Sequence, residues 1–187
     1  MNLLAFAAST STQSINKQLL RYATNLIEGG LLTKATVKTI DLNDYEMPIY
    51  SADREREGGI PKAALDFLDE IRKADGLLIS FAEHNGSYTA AYKNIFDWAS
   101  RSEKPVYQNK PTVLLATSPG GRGASSVLAA AVASAPHFGN ELRASLSVPS
   151  FFQNFDAEKG ELSNPEIDAA LREALANFAS TGAGTSS

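Results

Sequence analysis

Apolar residues along this chain gather into short unbroken runs, and these alternate with stretches whose apolar positions recur every three or four residues. Residues 2–8, 76–81 ("GLLISF") and 111–117 ("PTVLLAT") are apolar on both faces and too short for helices, which predicts buried strands of a parallel sheet. Residues 35–42 set Val37 and Thr39 against Lys38, the mark of a strand with one wet face at a sheet edge. A fifth strand candidate, 141–148, is less apolar than the others. Ile15, Leu19, Ala23, Leu26 and Ile27 recur at helical spacing until Gly29 and Gly30 stop the helix. Pro61 suits the first turn of a helix carrying Leu65, Leu68 and Ile71. The segment after Ser87 reads as a helix with Tyr88, Tyr92 and Phe96 on one stripe and Ala91, Ile95 and Trp98 on another. An alanine-rich helix covers 124–135, and Asn164 and Pro165 open a last one with Ile167, Leu171, Leu175 and Phe178 on one side. Residues 43–60 predict a long loop.

Five strands alternating with five helices predict an α/β fold in which a parallel sheet is covered on both faces. For the strand order 2-1-3-4-5, ligands bind beyond the carboxyl ends of the strands, between the first and third, where the order reverses. The loops after strands one, three and four then share one rim. They are the three loops of unusual composition.

Length and composition narrow the rest. A chain of 187 residues predicts one domain, here 1–180, followed by a small, polar, disordered tail at 181–187. A net charge of −4 lacks the basic stripe of a nucleic-acid binder. Cysteine is absent, so no disulfide, thiolate metal site or cysteine nucleophile exists, and two histidines without a shared motif argue against a zinc enzyme. No secretory signal or membrane-length apolar run is visible, which makes the cytoplasm the expected compartment.

The first loop, "STSTQSIN", presents hydroxyls at Ser9, Thr10, Ser11, Thr12 and Ser14 and runs into a helix start, where free N–H groups and the positive dipole end favour an anion. It has neither the P-loop lysine pattern nor G-x-G-x-x-G, so a single terminal phosphate held by neutral donors fits it. Helix capping accounts for the same residues. The third loop offers amide, hydroxyl and backbone donors from Asn85, Gly86 and Ser87 at another helix start. No G-x-S-x-G elbow supports pairing His84 with a serine nucleophile. In the fourth loop, Ser118, Pro119, Gly120, Gly121, Arg122 and Gly123 bring bare backbone toward a flat ligand edge, although a plain turn has the same composition. A phosphate cradle, a polar wall and a glycine-rich wall at one switch point suit flavin mononucleotide, FMN.

"AEHNGSYTAAYKNIFDWASR", starting at Ala82, resembles the P-E-Y-N-G-S-x-P-x-x-L-K-N-x-x-D-W signature of NADPH-dependent FMN reductases. "SPGGRG" at 118–123 and "DLNDYEMPIYSAD" at 41–53 resemble that family's later glycine loop and its loop beside the flavin. Ser9, Ser14 and Asn16 match its G-S-x-R-x-x-S-x-N loop, but Ala8 stands for the glycine and Ser11 for the phosphate-binding arginine. Ala82 and His84 replace the proline and tyrosine of the signature.

The resemblance implies a flavodoxin-like three-layer sandwich and hydride transfer from NADPH or NADH to FMN, followed by reduction of a flavin, quinone or azo acceptor. It implies phosphate contacts from Ser9, Ser11, Ser14, Ile15 and Asn16. Ring contacts come from Ala82, Glu83, His84, Asn85, Gly86 and Ser87 on one side and from Ser118, Pro119, Gly120 and Gly121 on the other. Arg122 is the candidate for the extra phosphate of NADPH. No protein side chain does proton chemistry and no metal takes part. The second apolar stripe of the helix after Ser87 points to a partner subunit, as in the dimers or tetramers of the family. A flavodoxin-like electron carrier, or a flavin-free domain that keeps the fold, remains open.

Overall fold

The computed structural model describes residues 1–179; the expected tail at 181–187 lies outside them. Its strands β1 (Asn2–Ala8), β2 (Thr36–Thr39), β3 (Gly76–Phe81), β4 (Lys110–Thr117) and β5 (Asn140–Val148) form one parallel sheet. Their order, β2-β1-β3-β4-β5, is that of the flavodoxin-like sandwich implied by the family resemblance. The helices are α1 (Ile15–Leu26), α2 (Ala52–Gly58), α3 (Lys62–Lys73), α4 (Ala90–Ser102), α5 (Ser125–Ser134), α6 (Phe151–Asn154) and α7 (Pro165–Ala176). Among the described residues no helix is long and apolar enough to cross a membrane.

Because side chains alternate along a strand, β1 feeds two cores. Leu3, Ala5 and Ala7 pack with Leu78, Val113 and Leu115 beneath α1 and α7. Leu4, Phe6 and Ala8 pack with Leu77, Ile79 and Leu114 beneath α3, α4 and α5. This is why the central strands read as continuous apolar runs.

Helix starts follow their caps. Ser14 accepts a hydrogen bond from the Lys17 N–H at the head of α1, and Asn164 accepts from Glu166 and Ile167 at α7, with Pro165 in the first turn. The expected long loop at 43–60 is instead partly helical. Residues Leu42–Tyr45 make a 3-10 turn, and α2 follows, capped by Ser51 and closed by Gly59 at φ +72°. No residue of α2 is buried, so it has no apolar stripe to detect; its cap and its first-turn acids Asp53 and Glu55 hold it. Leu65, expected on the buried stripe of α3, is 44% exposed, because the helix turns Ala64, Phe67, Leu68 and Ile71 inward. Beyond β5, the chain adds α6 and a small hairpin, Phe155–Asp156 against Glu161–Leu162, neither of which the pattern predicts.

Candidate functional site

The carboxyl ends of three neighbouring strands are level. Ala8 of β1 pairs with Phe81 of β3, and Phe81 pairs with Ala116 of β4. Adjacent strands lie about 4.8 Å apart, so the loops starting at Ser9, Ala82 and Ser118 leave the sheet side by side. Cross-links fix this rim. Asn16 is 2% exposed, and its amide donates to the Thr117 carbonyl at 3.1 Å. Its oxygen accepts from the Thr117 N–H at 3.1 Å and from the Ser80 hydroxyl at 2.8 Å. Thr89 donates its hydroxyl to the Ala8 carbonyl at 2.9 Å, tying the third loop to the end of β1.

In the first loop each candidate serine accepts from a backbone N–H: Ser9 from Ser11, Ser11 from Gln13, and Ser14 from Lys17. A hydroxyl used as an acceptor keeps its own hydrogen to donate. The backbone N–H groups of Ile15 and Asn16, in the first turn of α1, take no acceptor among the described residues. Five donors therefore surround one helix start. The Asn16 side chain is tied to the sheet instead, its oxygen taking two donors and one amide N–H bonding Thr117.

The third loop differs from its expected form. Glu83–His84 pairs antiparallel with Ser87–Tyr88, and Asn85 and Gly86 turn between them at φ +53° and +75°. Asn-Gly with both residues left-handed closes a two-residue hairpin, so Asn85, Gly86 and Ser87 sit on a hairpin tip and not at a helix start. The helix begins later, with Thr89 accepting from the Tyr92 N–H. Ala82 is buried, whereas residues 84–87 are exposed along the rim. Glu83 spends one carboxylate oxygen on the Val127 N–H at 2.9 Å, where α5 has no side-chain cap of its own.

The fourth loop is anchored through carbonyls. The Gly120 oxygen accepts from the N–H groups of Gly123 and Ser150, and the Ser118 oxygen accepts from Phe151. In a trans peptide the N–H opposes the C=O. With the Gly120 carbonyl turned into the protein, the Gly121 N–H points out of it. A Cβ at Gly120 or Gly121 would meet nothing within 4 Å, so open space lies over both. Pro119 and Arg122 are exposed beside them.

The profile of the family described as NADPH-dependent FMN reductase matches residues 1–152. The chain belongs to that family. It is an oxidoreductase of the class that uses FMN and NAD(P)H. An NADPH:quinone oxidoreductase of Arabidopsis thaliana is 29% identical over 178 residues, 94% of this chain and 88% of that protein. An NAD(P)H-dependent FMN reductase of Pseudomonas aeruginosa is 32% identical over 121 residues; the match spans 64% of this chain and 61% of that protein. Among solved structures, FerB, a flavoenzyme NAD(P)H:(acceptor) oxidoreductase from Paracoccus denitrificans, has a TM-score of 0.73 at 24% identity, over 95% of this chain and 94% of its own. An azoreductase from Bacillus anthracis has a TM-score of 0.62 at 19% identity, over 94% and 97%. These structural likenesses show the flavodoxin-like fold.

The donor set of this FMN reductase family member fits the cofactor. A cluster of hydroxyl and N–H donors suits a phosphate, and outward amides beside it suit the carbonyl-rich edge of a flavin. Three contributors were missed in the sequence. Thr89 and Thr117 fasten the rim, and Asn43 donates to the Thr10 carbonyl at 3.0 Å, carrying the segment after β2 to the first loop. Beside that contact lies a cleft of about 300 Å³, lined by Thr10, Asn43, Glu46, Met47 and Asn94.

The two stripes on α4 part company. Trp98 is covered from within: its indole N–H donates to the Pro48 carbonyl at 2.7 Å, and Tyr50 packs edge-on at 5.0 Å. That stripe therefore needs no partner subunit. Tyr92 and Phe96 instead line a half-open crevice of about 450 Å³ between α4 and α5, with Phe81, Tyr88, Tyr107 and Phe138.

Proposed function

We propose that this chain oxidises NADPH through FMN held at the rim and passes the electrons to a small acceptor of the quinone or flavin type. FMN held there would supply two-electron redox chemistry between the nicotinamide and the acceptor. The protein's part is to hold and orient. Ser9, Ser11 and Ser14 donate hydroxyl hydrogens, and Ile15 and Asn16 donate N–H groups, to the terminal phosphate. Gly120 and Gly121 present backbone N–H groups to the pyrimidine edge, where fixed donors favour developing negative charge. The exposed tip from His84 to Ser87 forms the facing wall, and Arg122 reaches the additional phosphate of NADPH. Glu83 supports the wall indirectly by holding α5.

The observation that carries this reading is the level register of Ala8, Phe81 and Ala116, which brings the three loops to one edge. The names of the Arabidopsis and Pseudomonas relatives support the reaction class. The absence of cysteine is compatible with the reducing cytoplasm, the compartment we propose. We propose further that the chain is a homodimer or homotetramer whose second copy covers the aromatic crevice between α4 and α5. Lys93 and Asp97 lie four residues apart on the exposed side of α4 there, so a two-fold axis would set each against its opposite charge.

The test is to load the apoprotein with FMN and follow NADPH and NADH oxidation with quinone, flavin and azo acceptors. Parallel double-reciprocal lines are expected, with NADPH preferred. Bound flavin without pyridine-nucleotide turnover would mark an electron carrier. Protein that gains no flavin absorbance would mark a domain that keeps only the fold.

A further inference from the structure

Residues 9–16 contain no charged side chain, yet the group proposed for them is a phosphate dianion. The nearest cation along the chain is Lys17, at the third position of α1. Lys17 leaves α1 in its first turn, where side chains lean toward the helix N-terminus. Its ammonium lies 2.6 Å from Asp41 Oδ2, and the side chain is 21% exposed. Asp41 is positioned in turn: its other oxygen accepts from the Asn43 N–H at 3.0 Å and from the Asn43 amide at 2.8 Å. That same amide donates to the Thr10 carbonyl at 3.0 Å. The circuit from Lys17 through Asp41 and Asn43 thus closes on the first loop itself. Burial opposes the Asp41 charge, but Asn43 and Lys17 outweigh it and hold the carboxyl below its usual range. Arg21, one turn further along α1, and Asp44 line the adjoining crevice.

We infer that Lys17 supplies the positive charge of the phosphate site, its ammonium shared between Asp41 and a phosphate oxygen. An ammonium has three N–H donors, and Asp41 uses one. This places at Lys17 the cation that Ser11 does not provide, with Asp41 as a brake on its strength. The inference rests on the FMN reading and adds a residue to it.

Titration of the full-length apoprotein with FMN and with riboflavin, followed by flavin fluorescence, tests it. Riboflavin lacks the phosphate and reports the ring site alone. Lys17→Met should weaken FMN roughly tenfold or more, the size of a charge-assisted hydrogen bond, and leave riboflavin unchanged. Lys17→Arg should retain affinity. Asp41→Asn should tighten FMN severalfold, because it frees the ammonium. A merely structural ion pair gives a different pattern: both ends lose, and both flavins lose together. That pattern, or an unchanged FMN-to-riboflavin ratio in Lys17→Met, overturns the inference alone. Wild-type protein that binds neither flavin overturns the FMN reading and this inference with it.

Discussion

Replacing Asn16 with alanine removes one side chain and strands three buried partners. Ser80, fully buried, loses the acceptor for its hydroxyl; the Thr117 N–H loses its acceptor; and the Thr117 carbonyl loses its donor. A buried group left unpaired costs about 1–3 kcal/mol. Alanine recovers part of this, since it buries no amide of its own, so a net loss of about 3–5 kcal/mol is expected. Against a total of about 5–15 kcal/mol for a domain, that is a large fraction. Urea unfolding measures it: the midpoint should fall with the slope unchanged. Adding Ser80→Ala to Asn16→Ala should return about 1 kcal/mol, because the orphaned hydroxyl is then gone. A loss below about 1 kcal/mol in the single variant, or no recovery in the double, would refute the claim that Asn16 staples α1 to β3 and β4.

Other parts of the rim answer to different assays. Glu83→Ala should cost about 1 kcal/mol in urea unfolding, as α5 loses the acceptor for its Val127 N–H, and Glu83→Gln should cost less. Gly123→Ala should destabilise by about 2 kcal/mol or more, since Gly123 sits at φ +56° and an added Cβ would lie 2.3 Å from Ser147 Oγ. Burial pushes Tyr22 and Tyr45 up to about 12 from 10.0, and raises Tyr92 and Tyr107 as well. Folded values above unfolded ones give stability that is complete below pH 10 and lost as pH rises toward 12. Tyrosinate absorbance from these residues should therefore appear together with loss of circular dichroism, not before it. Ala130→Arg, at the rim of the aromatic crevice, should lower the mass measured by light scattering to that of a monomer.

The central strands were legible because 76–81 and 111–117 are buried on both faces, a pattern that survives without any tertiary information. Helix α2 was not, since it is held by a cap and charges and presents nothing apolar to the core. The third loop carries its own sign in Asn85-Gly86, a hairpin pair, but a polar turn between a buried strand and a helix looks the same as a helix start. Asn16 shows a deeper limit. A polar residue in a loop motif can face a ligand or a neighbouring strand, and only the Thr117 and Ser80 contacts, far away in sequence, decide. Trp98 is the same case in apolar form, because the 47–50 segment that covers it lies some fifty residues earlier. Local periodicity reports which face is apolar, not what covers it.

The account depends most on where the cofactor rests. A crystal structure of the protein grown with FMN measures that directly. It should show the phosphate within hydrogen-bond distance of Ser9, Ser11, Ser14 and the N–H groups of Ile15 and Asn16. The ring should lie between the 84–87 tip and the amides of Gly120 and Gly121. Flavin found in the crevice between α4 and α5, or away from the start of α1, would contradict it.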